Sequence, residues 1–352
     1  MFKKFAVIIV LAVLFAACTG KDEAGTLAGT NLVLYTWSEM FPQEILDGFE
    51  QETGIKIQYV NFDTNETMIA RLMSENGGSY DLIIADDYMA ENVINEGLAQ
   101  KIDTSRLSNY KTINPLYQKQ FYDPDDEYTI PYGAGIQTIV YDPKLVDIPI
   151  RGYADLWNTK LVNSLGIVDQ FRVINGMALK VMGQSYNTND LEVIQAAGDY
   201  LKALAPNIRL IRDDDLQDEL LSGEISVAVM YTSQVTMAKM EKPELAVVYP
   251  EEGLGFGIMP AFIPINAPNS DAAYAFLNYI LDAENGARCF EYLGYYSTFA
   301  GSDPYIEDEY KDFLTIPKDF NIDSMEMIEN ISEEAADLHN RLYTEFKSRA
   351  GR

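Results

Sequence analysis

Residues 32–60, LVLYTWSEMFPQEILDGFEQETGIKIQYV, spell out a strand, a loop, a helix and a second strand. Leu32, Val33, Leu34 and Tyr35 form a short continuous apolar run, the pattern of a strand covered on both faces. The run stops at Trp37, Ser38 and Glu39, which puts an aromatic ring, a hydroxyl and a carboxylate at the carboxyl end of the strand. Open α/β sheets place their ligands there. Pro42 opens a helix, where its missing N–H costs nothing. Ile45, Leu46 and Phe49 give that helix one apolar face, Gly54 stops it, and Ile55, Ile57 and Tyr59 alternate as the next strand. The unit reads as a right-handed βαβ.

The same grammar continues outward. Met68, Ile69, Leu72 and Met73 have helical spacing, Gly77 and Gly78 break it, and residues 80–85 form a strand ending in Asp86, Asp87 and Tyr88. That ending repeats the polar and aromatic pattern of the first strand at the same end of the sheet. A helix over 89–96 precedes a loop-rich stretch to residue 120, and DPDDE, 123–127, reads as a solvated turn. Residues 130–135 lead into a strand over 136–141, taken as the first crossover between two lobes. Strands at 164–168, 208–211 and 225–231 then alternate with helices at 171–182, 191–204 and 216–221, which implies parallel sheets. Strands at 245–249 and 256–264, separated by EEGLGFG, return the chain to the first lobe. Helices over 270–281 and 284–292, a further crossing at 302–310 and a long terminal helix over 332–347 complete the pass.

Composition limits what such a chain can do. Its 352 residues carry 54 acidic and 26 basic side chains, a formal net charge of −28, which argues against a nucleic-acid partner because phosphates need Lys and Arg. The 47% hydrophobic content excludes wholesale disorder. Residues 1–17, with Lys3, Lys4 and the apolar run 5–17, read as a signal peptide too short to span a membrane. Small residues before Cys18 suit cleavage there and lipidation of the cysteine, with 18–30 as a flexible tether. A membrane-anchored lipoprotein outside the cytoplasm is therefore expected. The remaining cysteine, Cys289 in NGARCFEYLGY, reads as a buried core residue and cannot form an intramolecular disulfide.

Catalytic signatures are missing. With one histidine, His339, read as a surface residue, no Ser/His/Asp triad or multi-histidine metal site can be built. There is no Walker loop, no GxSxG elbow and no CxxC pair. Gly253, Gly255 and Gly257 lack the strand-to-helix setting of a phosphate loop. No catalytic residue, metal or cofactor is assigned, and a binding protein is expected rather than an enzyme.

The opening stretch, together with NETMIARLM (65–73), YDLII (80–84), IPYG (130–133), ADLW (154–157), VVYPEEG (247–253) and the closing KSRAGR, closely resembles the spermidine/putrescine-binding proteins of bacterial ABC importers. The resemblance implies an α/β fold of the type II periplasmic-binding-protein kind: two lobes, each a mainly parallel sheet flanked by helices, joined by hinge crossovers. Residues 31–135 and 258–303 would form the first lobe, and 136–257 and 304–352 the second. It also implies a monomer that holds a polyamine between the lobes and delivers it to an importer permease. Carried over residue by residue, the ligand site would include Trp37, Ser38, Glu39, Tyr88 and Tyr295, with Tyr231 where the family usually has tryptophan. Three family acids correspond here to Gln170, Val173 and Met259, a tryptophan to Gly257, and a late glutamine to Ile331. Two family hydroxyls correspond to Asp86 and Asp213, so carboxylates are lost at one place and gained at another. A cation gripped by one charged end, with an apolar remainder, is the reading. An amino-acid-like or heterocyclic solute, or a surface receptor reporting ligand to a membrane partner, are the alternatives.

Overall fold

The computed structural model describes residues 27, 29–212, 215–314 and 324–351. The signal peptide, Cys18 and Asp213 lie outside the described residues. Strand β1 (Asn31–Thr36) runs parallel to both β2 (Lys56–Asn61) and β3 (Leu82–Ile84), which explains why its apolar run is continuous. Helix α1 (Gln43–Thr53) starts directly after Pro42 and ends at Gly54, whose left-handed φ of 72° lets its N–H reach the Glu50 carbonyl. Ile45 and Phe49 on its inner face are fully buried. Helices α2 (Asn65–Ser74) and α3 (Asp87–Asn95) flank β3 in sequence, each opening at the carboxyl end of the sheet.

The chain then enters β4 (Thr129–Tyr141), a 13-residue strand that belongs to both lobes. The second lobe follows with β5 (Leu165–Ile167), α4 (Phe171–Val181), α5 (Leu191–Leu201), β6 (Ile208–Ile211), α6 (Leu216–Ser222), β7 (Val227–Tyr231), α7 (Thr232–Glu241) and β8 (Ala246–Val248). Strand β9 (Leu254–Phe262) returns to the first lobe, which α8 (Ser270–Ile280), α9 (Ala283–Leu293) and β10 (Tyr296–Ser297) complete. The short β11 (Met325–Met327) runs parallel to β9, and α10 (Glu333–Ala350) packs on α4 and α5. The sheet order is β2-β1-β3-β9-β4-β7-β5-β6. Its flanks are parallel, as alternation predicts. Its middle is not: β9 is antiparallel to β3 and β4, and β4 is antiparallel to β7 and β8. Along β4 the partner changes from β9, paired up to Ile136, to β7, paired from Gln137. Thr232, at the start of α7, fastens this changeover, its hydroxyl accepting from the Ile136 N–H at 3.0 Å and donating to the Ile136 carbonyl at 3.1 Å.

Several expectations are corrected. Gly255 and Gly257 lie within β9 rather than in a separating loop. Ile306 and Leu314, assigned by sequence to the second lobe, pack in the core of the first. Helix α5 stops at Leu201 and continues as a 3-10 turn to Asn207, because Pro206 cannot donate to an α-helical ladder. Asp123 is buried, not solvated: its carboxylate accepts from the N–H groups of Glu127, Tyr128 and Thr129 and from the Thr129 hydroxyl. His339 is 1% exposed, because Ala335, His339, Leu342 and Phe346 share the buried face of α10. The Asn175 amide donates to its Nδ1 at 3.1 Å and to its carbonyl at 2.9 Å, so the ring is held neutral. Cys289 is buried as expected, and burial pushes its thiol up to about 12.

Two tests follow from this packing. A Cβ at Gly135 would stand 2.7 Å from the Tyr295 ring. A rigid ring cannot yield cheaply, so Gly135→Ala should lower stability by about 1–3 kcal/mol in urea unfolding, whereas a wild-type midpoint would show that Tyr295 is not held there. For His339, burial and then the Arg172 charge lower the folded value to about 4, against about 6.5 when unfolded. The unfolded chain alone takes up a proton between those values, so this group's stabilisation is complete above pH 6.5 and is lost as pH falls towards 4. The stability gap between wild type and His339→Gln should therefore narrow over that window; a constant gap would contradict it.

Candidate functional site

A cleft of about 640 Å³ opens where β4 and β9 meet, between the carboxyl ends of the parallel flanks and the openings of α2, α3 and α4. Its floor is nearly bare backbone, with Gly133 and Gly135 from β4 and Gly257 from β9. Side chains from the sheet pack into the space those glycines leave: Met259 lies against Gly133 and the Tyr295 ring against Gly135.

One wall comes from the first lobe. The loop after β1 is held by Tyr59, whose hydroxyl donates to the Trp37 carbonyl at 2.8 Å and accepts from the Met40 N–H at 3.1 Å. The Trp37 ring rests on Phe62, with centroids 4.4 Å apart, and its other side lines the cleft. Next to it, Asn65 at the start of α2 is almost completely buried and donates through its amide to Asp86 Oδ2 at 2.7 Å and to the Tyr88 hydroxyl at 2.8 Å. That shared amide holds a carboxylate and a phenol side by side. Burial raises the Tyr88 hydroxyl strongly, with the Asp86 and Glu66 charges adding to the effect, so it stays protonated.

The opposite wall belongs to α4 and the segment after β11. Arg172 gives its guanidinium to the carbonyls of Tyr186 and Glu329, both at 3.1 Å, and to Asn187 Oδ1 at 3.2 Å. Burial lowers it to about 10, still charged at neutral pH. Asn330 spans to α3, donating to the Tyr88 carbonyl at 3.0 Å, to Glu91 Oε2 at 2.7 Å and to Asn92 Oδ1 at 3.3 Å. Glu329 beside it is raised by burial and by the neighbouring Glu91 and Glu326 charges.

Of the residues singled out by sequence, Trp37, Asp86, Tyr88, Gln170, Tyr231, Met259 and Tyr295 all line this cleft. Val173, Gly257 and Ile331 line it too. Ser38 and Glu39 do not: both are exposed, and Glu39 sits in a left-handed turn with φ 57°, near Tyr59 and Tyr292. Residues not assigned to the site from sequence are Asn65, quoted only within the stretch NETMIARLM, Asp87, named only at the strand end, and Gln137 and Arg172. The adjacent pair Asp86-Asp87 at a strand end was the available signal for the second acid.

Among the described residues lining the cleft, the carboxylates Asp63, Glu66, Asp86, Asp87 and Glu329 face a single cationic side chain, Arg172. No group of three or more His, Cys, Asp or Glu among the described residues is arranged to hold a metal ion. Aromatic faces beside carboxylates suit a small cation, through cation–π attraction of about 0.5–2 kcal/mol and charge-assisted hydrogen bonds.

Comparison with known proteins agrees with this architecture. Residues 44–317 match the family model described as bacterial extracellular solute-binding protein. The spermidine/putrescine-binding periplasmic protein of Salmonella typhimurium is 34% identical over 285 residues, 80% of this chain and 81% of that protein. Its counterpart 1 from Haemophilus influenzae is 32% identical over 304 residues, 83% and 84% of the two chains. Among solved structures, the spermidine/putrescine ABC transporter substrate-binding protein PotD from Streptococcus pneumoniae, in complex with calcium and HEPES, superposes with a TM-score of 0.82 at 29% identity, covering 91% of this chain and 99% of that one. With both lobes, the spine between them and most of the sequence in correspondence, this chain belongs to the bacterial extracellular solute-binding protein family.

Proposed function

We propose that this protein is an extracytoplasmic solute-binding lipoprotein that captures putrescine, spermidine or a related small amine and delivers it to an ABC importer. The observation that carries the ligand class is the cluster of Asn65, Asp86 and Tyr88: a carboxylate and an aromatic ring are fixed side by side by one buried amide, facing the cleft. Trp37, Tyr231 and Tyr295 supply further rings for the methylene chain, and the excess of carboxylates favours a positive ligand. The names of the relatives support the same reading. Closing the lobes about β4 and β9 would bury the ligand and present one composite surface to a permease. The protein is proposed to act as a monomer, tethered through lipid on Cys18.

One observation favours a second reading, the same kind of binding protein for an amino-acid-like or heterocyclic solute. Val173, Met259 and Ile331 make part of the cleft apolar, which suits a ligand with one charged end.

Calorimetric titration of the mature chain separates the two. Putrescine or spermidine should bind, and Asp86→Asn should weaken the interaction more than tenfold, about 1.4 kcal/mol or more. Silence with every amine, alongside tight binding of a neutral or anionic solute, would overturn the amine reading. The anchor has its own test: cells fed labelled palmitate should incorporate it into the wild-type chain and not into Cys18→Ala, with the variant leaving the membrane fraction.

A further inference from the structure

Asp87 is the first residue of α3 and is 5% exposed, yet it lines the cleft. Its Oδ1 accepts from the Tyr88 N–H at 2.8 Å and its Oδ2 from the Ile258 N–H of β9 at 2.9 Å. No lysine or arginine forms an ion pair with it among the described residues, and Asp86 is the neighbouring charge. Its titratable neighbours are Asp86 and Tyr88 on its own segment and Tyr122 from the loop packed against it. Burial, and then the Asp86 charge, push Asp87 up to about 8. Burial and Asp86 favour the neutral carboxyl while the two backbone N–H bonds favour the carboxylate, so an arriving positive group would draw the proton off.

Next to Asp87 Oδ2, the space over Gly257 of β9 is open. A Cβ at Gly257 would stand 3.5 Å from Asp87 Oδ2 with no other heavy atom within 4 Å. Two residues earlier on the same face of the strand, a Cβ at Gly255 would stand 3.0 Å from Gln137 Oε1, with Ile328 at 3.1 Å and the Tyr186 ring at 3.3 Å closing the space beside it. Gln137 is 7% exposed, lines the same cleft, and its Oε1 has no hydrogen-bond partner among the described residues. Leaving a buried acceptor without a donor is costly, so it marks a place where a donor belongs. One face of β9 thus carries an acid and an orphaned amide oxygen, each beside a glycine, and each Asp87 oxygen keeps a further lone pair.

We propose that Asp87 and Gln137 form an ammonium subsite on the floor of the cleft, Asp87 supplying the charge and Gln137 a neutral acceptor. This rests on the amine reading above and extends it beyond Asp86. An ammonium has three N–H donors to satisfy, which suits acceptors supplied by two elements lining one cleft. On binding, the Asp87 O–H bond breaks, its proton passes to solvent, and the carboxylate pairs with the incoming ammonium, so one cation is exchanged for another and the site's charge balance is kept.

Titration calorimetry with putrescine, run between pH 6 and 9 in two buffers of different ionisation enthalpy, measures that proton. Close to one proton released per putrescine at pH 7 is expected, falling towards zero at pH 9, with affinity rising up to tenfold per pH unit below about 8. Asp87→Asn should abolish the release and weaken binding at pH 8 more than tenfold, and Gln137→Leu should weaken binding while leaving the release intact. Because Asp87 also accepts two backbone N–H groups, Gly257→Val provides a separate check: it covers Oδ2 without removing those bonds and should weaken putrescine at least tenfold. If the wild type binds putrescine with no proton release and Gly257→Val binds equally well, the subsite is overturned while the amine reading stands. If the wild type binds neither putrescine nor spermidine, both fall.

Discussion

The antiparallel pairing of β4 with β9 is the constraint on which the rest depends. Residues 129–136 of β4 lie against 256–262 of β9, while 137–141 of the same strand lie against β7. One unbroken backbone therefore runs through the sheets of both lobes, flanked by β9 and β10 in the first and by β7 and β8 in the second. The parallel flanks on either side point their carboxyl ends, and the helix openings that follow them, towards the same line. The cleft is the space left between two such ends when a shared strand holds them at a fixed spacing. Glycines at 133 and 135 lie where side chains approach the backbone closely, Met259 over Gly133 and the Tyr295 ring over Gly135, while the space over Gly257 is left open.

Placement of charge follows from the same geometry. A generic acidic surface keeps its carboxylates solvated, but helix openings that face a cleft carry theirs inward. Asp86 and Asp87 are adjacent in sequence and end up with different surroundings: one is matched by the Asn65 amide, the other is wrapped by backbone N–H groups and nearly sealed. On the opposing wall Arg172 is occupied by two carbonyls and an amide oxygen. The electrostatic character of the cleft is therefore set mainly by the first lobe.

Most of the fold was legible in the sequence because burial imposes period. The apolar run of β1, the helical spacing of α2 and the glycine stop after α1 all read correctly. The antiparallel middle was not legible, since strand direction depends on how the chain returns between lobes and local pattern carries no trace of that. His339 was misread from its charged neighbours, although Ala335, Leu342 and Phe346 at helical intervals put it on the buried face. Asp123 was misread because an acidic run suggests solvent, whereas three N–H groups following it were turned back onto its carboxylate. In the cleft, aromatic and acidic residues at strand ends could be found by position. Ser38 and Glu39 fell outside it because the loop turns left-handed at Glu39. Gln137 was hidden inside a strand, and only the change of pairing partner places it at the cleft.

Cys289 gives the molecule one further property. Its thiol is fully buried in the first lobe's core, its ionisation is suppressed, and every other described position lacks sulfhydryl chemistry. A chain beginning after Cys18 is in effect silent to maleimides while folded. Cysteines introduced on the two walls of the cleft would then be the sole labelled points, and a pair of spectroscopic probes attached there would follow the distance between the lobes with no background from the native protein.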